Sequence, residues 1–286
     1  MYSSSKLVLP APAKINRFLY IIGRRADGYH QIQTLFQFLD YGDEIVFEGY
    51  GSLELETQLP ELRTDSNLII KAAKLLQQKT GCSKGARIYL NKRLPLYGGV
   101  GGGSSDAATT LHGLNRLWAL ELEEESLAEL GLQLGADVPV FIRGRSAFAE
   151  GIGELLTPAY PSTPWYLVLI PDAHVNTAVM YGHEHLIRDT RPITVFDALD
   201  QDGRNDFEPL VRQLYPEVEK CLKLLDNFRH LSIGSPMLSG SGACVFSSFA
   251  HRETALSTLA ELSLQARGFV ARGSNRSLLH AALNKE

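Results

Sequence analysis

Residues 94–108 read LPLYGGVGGGSSDAA, placing five glycines in the six positions 98–103. Without Cβ atoms the backbone takes positive φ and approaches a ligand closely, so successive N–H groups converge on one anion. From there Ala107, Leu111, Leu114 and Trp118 recur at helical spacing, which predicts a helix with one buried stripe beginning where the glycines end. The N-terminus of that helix offers unpaired N–H donors and partial positive charge, and Ser104 and Ser105 stand where a cap is expected. The chemistry is that of a phosphate cradle, and a triphosphate suits it. The frame is not a Walker loop, because Ser104 stands where lysine should, and the dinucleotide fingerprint would need glycine at 104 or at 100. A flexible linker is the plain alternative, but linkers are not usually followed at once by a striped helix.

A second small-residue turn, SGSG at 239–242, precedes the apolar residues 243–246. Alone it is compatible with any structural turn. Paired with the first loop, it suits a cleft that holds donor phosphates on one side and a phosphate-bearing acceptor on the other. Transfer of a phosphoryl group would then need a cation and an acid that orients the nucleophile, because positioning and charge stabilisation dominate that chemistry. Lys14, in the small apolar context PAKIN at 12–16, reads either as that cation or as a solvated strand residue. Asp137, in GADVP at 135–139, reads either as the acid or as a simple helix cap.

Strand-like patterns at 15–22, 33–39, 44–48, 53–56 and 87–90 surround a helix expected at 66–79, capped by Asp65 or Ser66 and stopped by Gly81. Further helices are expected from the glycine loop to about Leu120 and at 124–134. Strands at 146–150 and 155–157 flank a hairpin-like turn at Gly151–Gly153. The proline-rich stretch 158–164 looks like a domain joint, giving domains 1–160 and 161–286. The second half alternates strands at 165–170, 244–249 and 269–271 with helices at 216–228 and 252–262. Helices interleaved irregularly among strands predict an α+β fold rather than a wound parallel sheet.

At 286 residues with 44% hydrophobic and 21% charged residues, the composition is that of an ordinary globular protein. The longest apolar run, Trp165 to Ile170, spans six residues against roughly 20 for a membrane helix. Prolines interrupt the faint signal-like residues 6–13, so the expected location is the cytoplasm. Three scattered cysteines lack metal or redox spacing, and a net charge of -4 without a basic run argues against nucleic-acid binding.

Taken together, PAKIN (12–16), RADGYH (25–30), the glycine loop, GADVP (135–139) and the 239–242 loop resemble the GHMP kinases, over nearly the whole chain. DGYH and GADVP are similar to the branch of that family acting on CDP-methylerythritol in non-mevalonate isoprenoid synthesis. The resemblance implies transfer of the ATP γ-phosphate to the 2-hydroxyl of the methylerythritol unit. It also implies two domains, ribosomal-S5-like then ferredoxin-like, with ATP as co-substrate and Mg²⁺ expected. Its implied catalytic pair is Lys14 and Asp137. Its implied ATP loop comprises Pro95, Leu96, Tyr97, Gly98, Gly99, Val100, Gly101, Gly102, Gly103, Ser104 and Ser105. Substrate contacts are implied for Asn16, Tyr29, His30, Tyr181, Gly240 and Ser241, with Tyr29 and Tyr181 on the two faces of the base. No metal ligands are assigned, Ser105 and Asp106 being candidates. Tyr97 departs from the small residue common in this loop and Val100 from the common leucine. A homoserine- or sugar-type kinase is the second reading, a non-catalytic nucleotide-binding module the third. The expected assembly is a monomer or weak homodimer without membrane or nucleic-acid partners.

Overall fold

The computed structural model describes residues 6–200 and 203–284. In chain order its first half comprises β1 (Leu7–Arg24), β2 (His30–Tyr50), β3 (Leu53–Thr57), α1 (Leu68–Thr80), β4 (Gly85–Asn91), α2 (Gly102–Leu117), α3 (Glu124–Leu134), α4 (Val138–Arg143), β5 (Ala147–Glu150) and β6 (Leu155–Pro158). The second comprises β7 (Trp165–Ile170), α5 (Thr177–Gly182), α6 (Val195–Asp200), α7 (Glu208–Leu214), α8 (Pro216–Asp226), β8 (Ile233–Leu238), β9 (Val245–Phe249), α9 (Arg252–Leu262), β10 (Arg267–Ser274) and α10 (Leu278–Leu283).

The long strand β2 is the hub. β1 runs antiparallel along one edge of it, while β4, β5 and β10 pair along the other. β1 begins at Leu7, well before the expected Ile15, and carries Pro10 and Pro12 within it. Prolines are tolerated there because β1 is an edge strand and their missing N–H groups leave no ladder partner short. A register shift between Pro12 and Lys14 bends β1 where Lys14 enters the interior. β10 joins β2 through Gly273 and Ser274 and pairs with β7 along its length, so one sheet path, β3-β4-β2-β10-β7-β9-β8, links both halves.

Four apolar clusters occur among the described residues, three of which bear on this layout. α1, α2, α3 and α4 cover the β1–β2–β4 face, with Phe36, Phe47, Leu76, Leu111 and Trp118 buried among them. α7, α8 and α9 cover the second half through Val211, Leu222 and Ala255. Between the halves Ala13, Ile15, Val100, Tyr166, Val168 and Phe246 form a third cluster. Burial of a Leu- or Phe-sized side chain contributes roughly 1.5–3 kcal/mol, so this cluster helps hold the halves together, as do Leu19, Ile21 and Ile32 in the second cluster. Leu279 of α10 returns to the first cluster, so the C-terminal helix packs on the N-terminal half.

Local details correct two expectations. α1 is capped by Asn67, whose Oδ1 accepts from the Ile69 N–H at 2.9 Å, rather than by Asp65 or Ser66. Asp65 instead pairs with Lys74 and Ser66 meets Thr64, because the chain is still turning there. α2 begins at Gly102 with Gly101 as cap at φ 75°, so Ser104 and Ser105 lie inside its first turn rather than at its cap.

Candidate active site

A cleft of about 990 Å³ opens between the halves, lined by the glycine loop, β1, α5 and the 240–242 turn. At its centre the Lys14 ammonium lies 3.2 Å from Asp137 Oδ2. Lys14 is only 3% exposed, and it also donates to Asn16 Oδ1 and, at 3.3 Å, to Gly99 O. Asn16 is oriented in turn by donating to Thr34 Oγ1 at 2.8 Å. The backbone completes the join, the Lys14 N–H donating to Val100 O at 2.9 Å. Asp137 occupies the N-cap position of α4, but its side chain makes no capping bond. Its carboxylate is one-third exposed to the cleft and, among the described residues, is held by Lys14. Of the two readings left open for it in the sequence, it takes the cap's place without making the cap's bond, and its carboxylate pairs with Lys14 instead.

The glycine loop is strapped to the second half. Ala243 and Cys244 N–H donate to Tyr97 O and Gly98 O at 3.3 and 3.0 Å, and Ser239 Oγ donates to Gly99 O at 3.0 Å. Gly99 sits at φ 70°, with Ser239 O inside the space a Cβ would need. At Gly101 a Cβ would meet Phe141 Cζ at 2.7 Å and Lys14 Cγ at 3.0 Å. Glycine at these two positions is therefore required by close approach as well as by φ. Tyr97 takes φ 56° and stacks on His174, ring centres 4.0 Å apart, tying the loop to the segment before α5.

Of the residues singled out in the loop, Pro95, Leu96, Tyr97, Gly98, Gly99, Gly101, Gly102, Gly103 and Ser104 line the cleft. Val100 and Ser105 do not. Val100 is buried in the cluster between the halves, and the Ser105 N–H is spent on Gly101 O, so neither is placed to meet a phosphate as expected. Asn16, Tyr29, His30, Tyr181, Gly240 and Ser241 all line the cleft. The aromatic pairing differs from expectation: Tyr181 stacks on the His30 imidazole at 4.7 Å, with Tyr29 61% exposed nearby. Burial, followed by the Arg188 and Arg24 cations, holds His30 below its ordinary pKa, so the ring is neutral near neutral pH. Burial and then Asp137 push the Tyr181 phenol up.

Sequence reasoning missed a buried triad under the loop. Lys92 lies 2.6 Å from both Asp43 Oδ2 and Asp106 Oδ2. Asp43 Oδ1 also accepts from the Arg93 and Leu94 N–H groups, fixing the chain entering the loop. Burial raises Asp106 to about 7 despite the opposing Lys92 charge. Burial pulls Lys92 down, but the two carboxylates outweigh it and raise it. A lysine at the strand end, directly before the loop, is the signal that could have found it. Thr64, Ser66, Asn67 and Leu68 before and at the start of α1 also line the cleft, with no motif in the sequence to mark them. Asp106 Oδ1 and Ser105 Oγ are buried without partners, while no three-residue His/Cys/Asp/Glu metal cluster occurs among the described residues.

Residues 67–145 match the GHMP kinases N terminal domain. A 4-diphosphocytidyl-2-C-methyl-D-erythritol kinase of Pseudomonas syringae pv. syringae is 53% identical over 98% of this chain and 99% of its own length. The enzyme of the same name from Ectopseudomonas mendocina is 53% identical over 98% of this chain and 95% of its own. A crystal structure of 4-(cytidine 5'-diphospho)-2C-methyl-D-erythritol kinase superposes with a TM-score of 0.82 at 32% identity, covering 94% of this chain and 99% of that one. Mevalonate kinase from Methanococcus jannaschii, at TM-score 0.67 and 16% identity over 96% of this chain and 99% of its own, shares the fold. No helix among the described residues is long and apolar enough to cross a membrane.

Proposed function

The chain belongs to the 4-diphosphocytidyl-2-C-methyl-D-erythritol kinases of the GHMP family, and from that premise we propose how its cleft transfers a phosphoryl group. The reaction is ATP-dependent phosphorylation of the 2-hydroxyl of the methylerythritol unit, yielding the 2-phosphate and ADP. One observation carries the assignment of residues: the Lys14–Asp137 pair stands at 3.2 Å, with Lys14 also bound to the glycine loop through Gly99 O. The backbone of 98–104 and the start of α2 receive the phosphates. Asp137 accepts a hydrogen bond from the acceptor hydroxyl and aims its oxygen at the γ-phosphorus. As the new P–O bond forms and the bond to ADP breaks, the hydroxyl proton passes to Asp137. Lys14, held by Asn16 and Gly99, keeps Asp137 in place and offsets charge developing on the transferred group. Asp106, which lines the cleft and whose Oδ1 is buried without a partner, is a hard oxygen donor of the kind Mg²⁺ accepts, with phosphate and water able to supply the remainder. Mg²⁺ bound there would neutralise phosphate charge.

At the other end His30, Tyr29 and Tyr181 receive the cytidine base, stacking contributing roughly 1–3 kcal/mol per aromatic partner. Gly240 and Ser241 lie along the acceptor. In this reading residues 1–160 carry the phosphate loop and the Lys14–Asp137 pair, and residues 161–286 complete the cleft. The protein works in the cytoplasm, as a monomer or weak homodimer. A coupled ADP-release assay with CDP-methylerythritol tests the whole. Asp137→Asn is expected to lower kcat by about 10²–10⁴-fold with ATP binding retained. Near-normal turnover in that variant removes Asp137 from the mechanism.

A further inference from the structure

Four hydrogen bonds fix the Arg188 guanidinium at the base-binding end of the cleft. Nη1 donates to Leu186 O at 3.0 Å, Nη2 to Tyr181 O at 2.9 Å and His183 O at 2.7 Å, and Nε to His30 Nε2 at 3.0 Å. Arginine stays protonated in proteins and offers no acceptor. The ring nitrogen receiving its N–H must therefore carry a lone pair, so His30 Nε2 is unprotonated. Imidazolium has no lone pair on either nitrogen, and the neutral ring left by this constraint bears its proton on Nδ1. Burial, first, and then the Arg188 and Arg24 cations also favour the neutral ring. His30 lines the cleft, packed flat on Tyr181, and its Nδ1 has no hydrogen-bond partner among the described residues.

We propose that Arg188 is a positioning residue that sets base specificity by holding His30 in the Nδ1–H tautomer. This deepens the assignment of His30 to the cytidine end and rests on it. A donor at Nδ1 matches a ring nitrogen carrying a lone pair, such as N3 of cytosine. It opposes the N3–H of uracil, leaving two donors facing each other. A neutral histidine side chain free in water favours the Nε2–H tautomer, whose Nδ1 is an acceptor, so an unrestrained His30 would lose this discrimination. Arginine suits the task because its planar fork reaches three carbonyls of the 181–186 turn and the ring nitrogen at once. A lysine offers a single centre and cannot span them.

Two measurements decide it. Nitrogen-15 NMR of the histidine-labelled full-length protein, without substrate and at neutral pH, is expected to show His30 protonated at Nδ1 and bare at Nε2. Arg188→Lys is expected to move that signal toward the Nε2–H form. In steady state, Arg188→Lys raises KM for CDP-methylerythritol by about tenfold and erodes the preference over the uridine analogue by a similar factor. Its kcat and its KM for ATP stay within about twofold, as a fault confined to base recognition requires. A wild-type ring protonated at Nε2 overturns the proposal, and so does an unchanged cytidine preference once the variant's tautomer has shifted. If Arg188→Lys does not fold, the wild-type spectrum decides alone. Should the wild-type protein fail to phosphorylate CDP-methylerythritol, the substrate assignment falls, and the spectrum still reports whether Arg188 sets the tautomer.

Discussion

Replacing Gly99 by alanine probes the junction on which the proposed transfer centre depends. Gly99 takes φ 70°, and a non-glycine residue in the left-handed region costs about 1–2 kcal/mol. The added Cβ would also lie 2.8 Å from Gly242 O, against 3.4 Å for an ordinary contact, and closer still to Ser239 O. The Gly242 O contact alone would require the two loops to part by about 0.6 Å, and the Ser239 O contact requires more. Overpacking of this kind adds about 1–3 kcal/mol, for a combined destabilisation of roughly 2–5 kcal/mol. The displacement reaches Lys14 directly, because Gly99 O accepts from its ammonium and Val100 O from its N–H. A misplacement approaching 1 Å costs up to about 10²-fold, so kcat should fall by roughly 10–10²-fold. Urea unfolding and steady-state ADP release measure the two effects. Gly51→Ala serves as control, since a Cβ there meets nothing within 4 Å and its φ is not positive. A Gly99→Ala enzyme matching that control in both stability and kcat would refute the reasoning that the loops' close approach sets the position of Lys14.

Two further outcomes follow from buried charge. Lys92→Met leaves Asp43 and Asp106 buried without their shared cation, and a urea midpoint shift equivalent to about 3–5 kcal/mol is expected. Replacing both aspartates by asparagine in the same chain should recover much of that loss. His112 is held down to about 4 from 6.5, chiefly by burial and in the same direction by His280, against a bond to Ile142 O. Its folded pKa is depressed, so the unfolded chain binds the extra proton first. The His112 contribution is complete above pH 6.5 and is lost as pH falls from 6.5 toward 4. At about 1.36 kcal/mol per unit the loss amounts to about 3 kcal/mol. Comparing urea unfolding of wild type and His112→Gln across that range isolates it, and parallel pH profiles would show that His112 is not responsible.

The site's ingredients were legible in the sequence because they are local. Glycines at fixed spacing before a striped helix mark a loop that can turn its N–H groups toward an anion whatever the fold around them, and the PAKIN, DGYH and GADVP segments are each read in consecutive residues. Helices α1, α3 and α9 and most strands were legible for the same reason, since periodicity is read within a few turns. The α1 cap was not: three polar residues in a row compete for it, and only the turn through Thr64 leaves Asn67 in place. The sequence could not say that Lys14 turns inward, because that depends on the register shift in β1 and on its pairing with β2. The Lys14–Asp137 contact joins residues far apart in the chain, as does the Arg188 bond to His30 across 158 positions. Lys92 finds Asp43 and Asp106 only because β2, β4 and α2 converge below the loop. Sequence fixes what a segment prefers by itself, through turn chemistry and periodicity. Which charges meet, and which nitrogen of a ring keeps its proton, is decided by packing, because only the folded chain brings distant groups within hydrogen-bonding range and removes the water that would otherwise screen them.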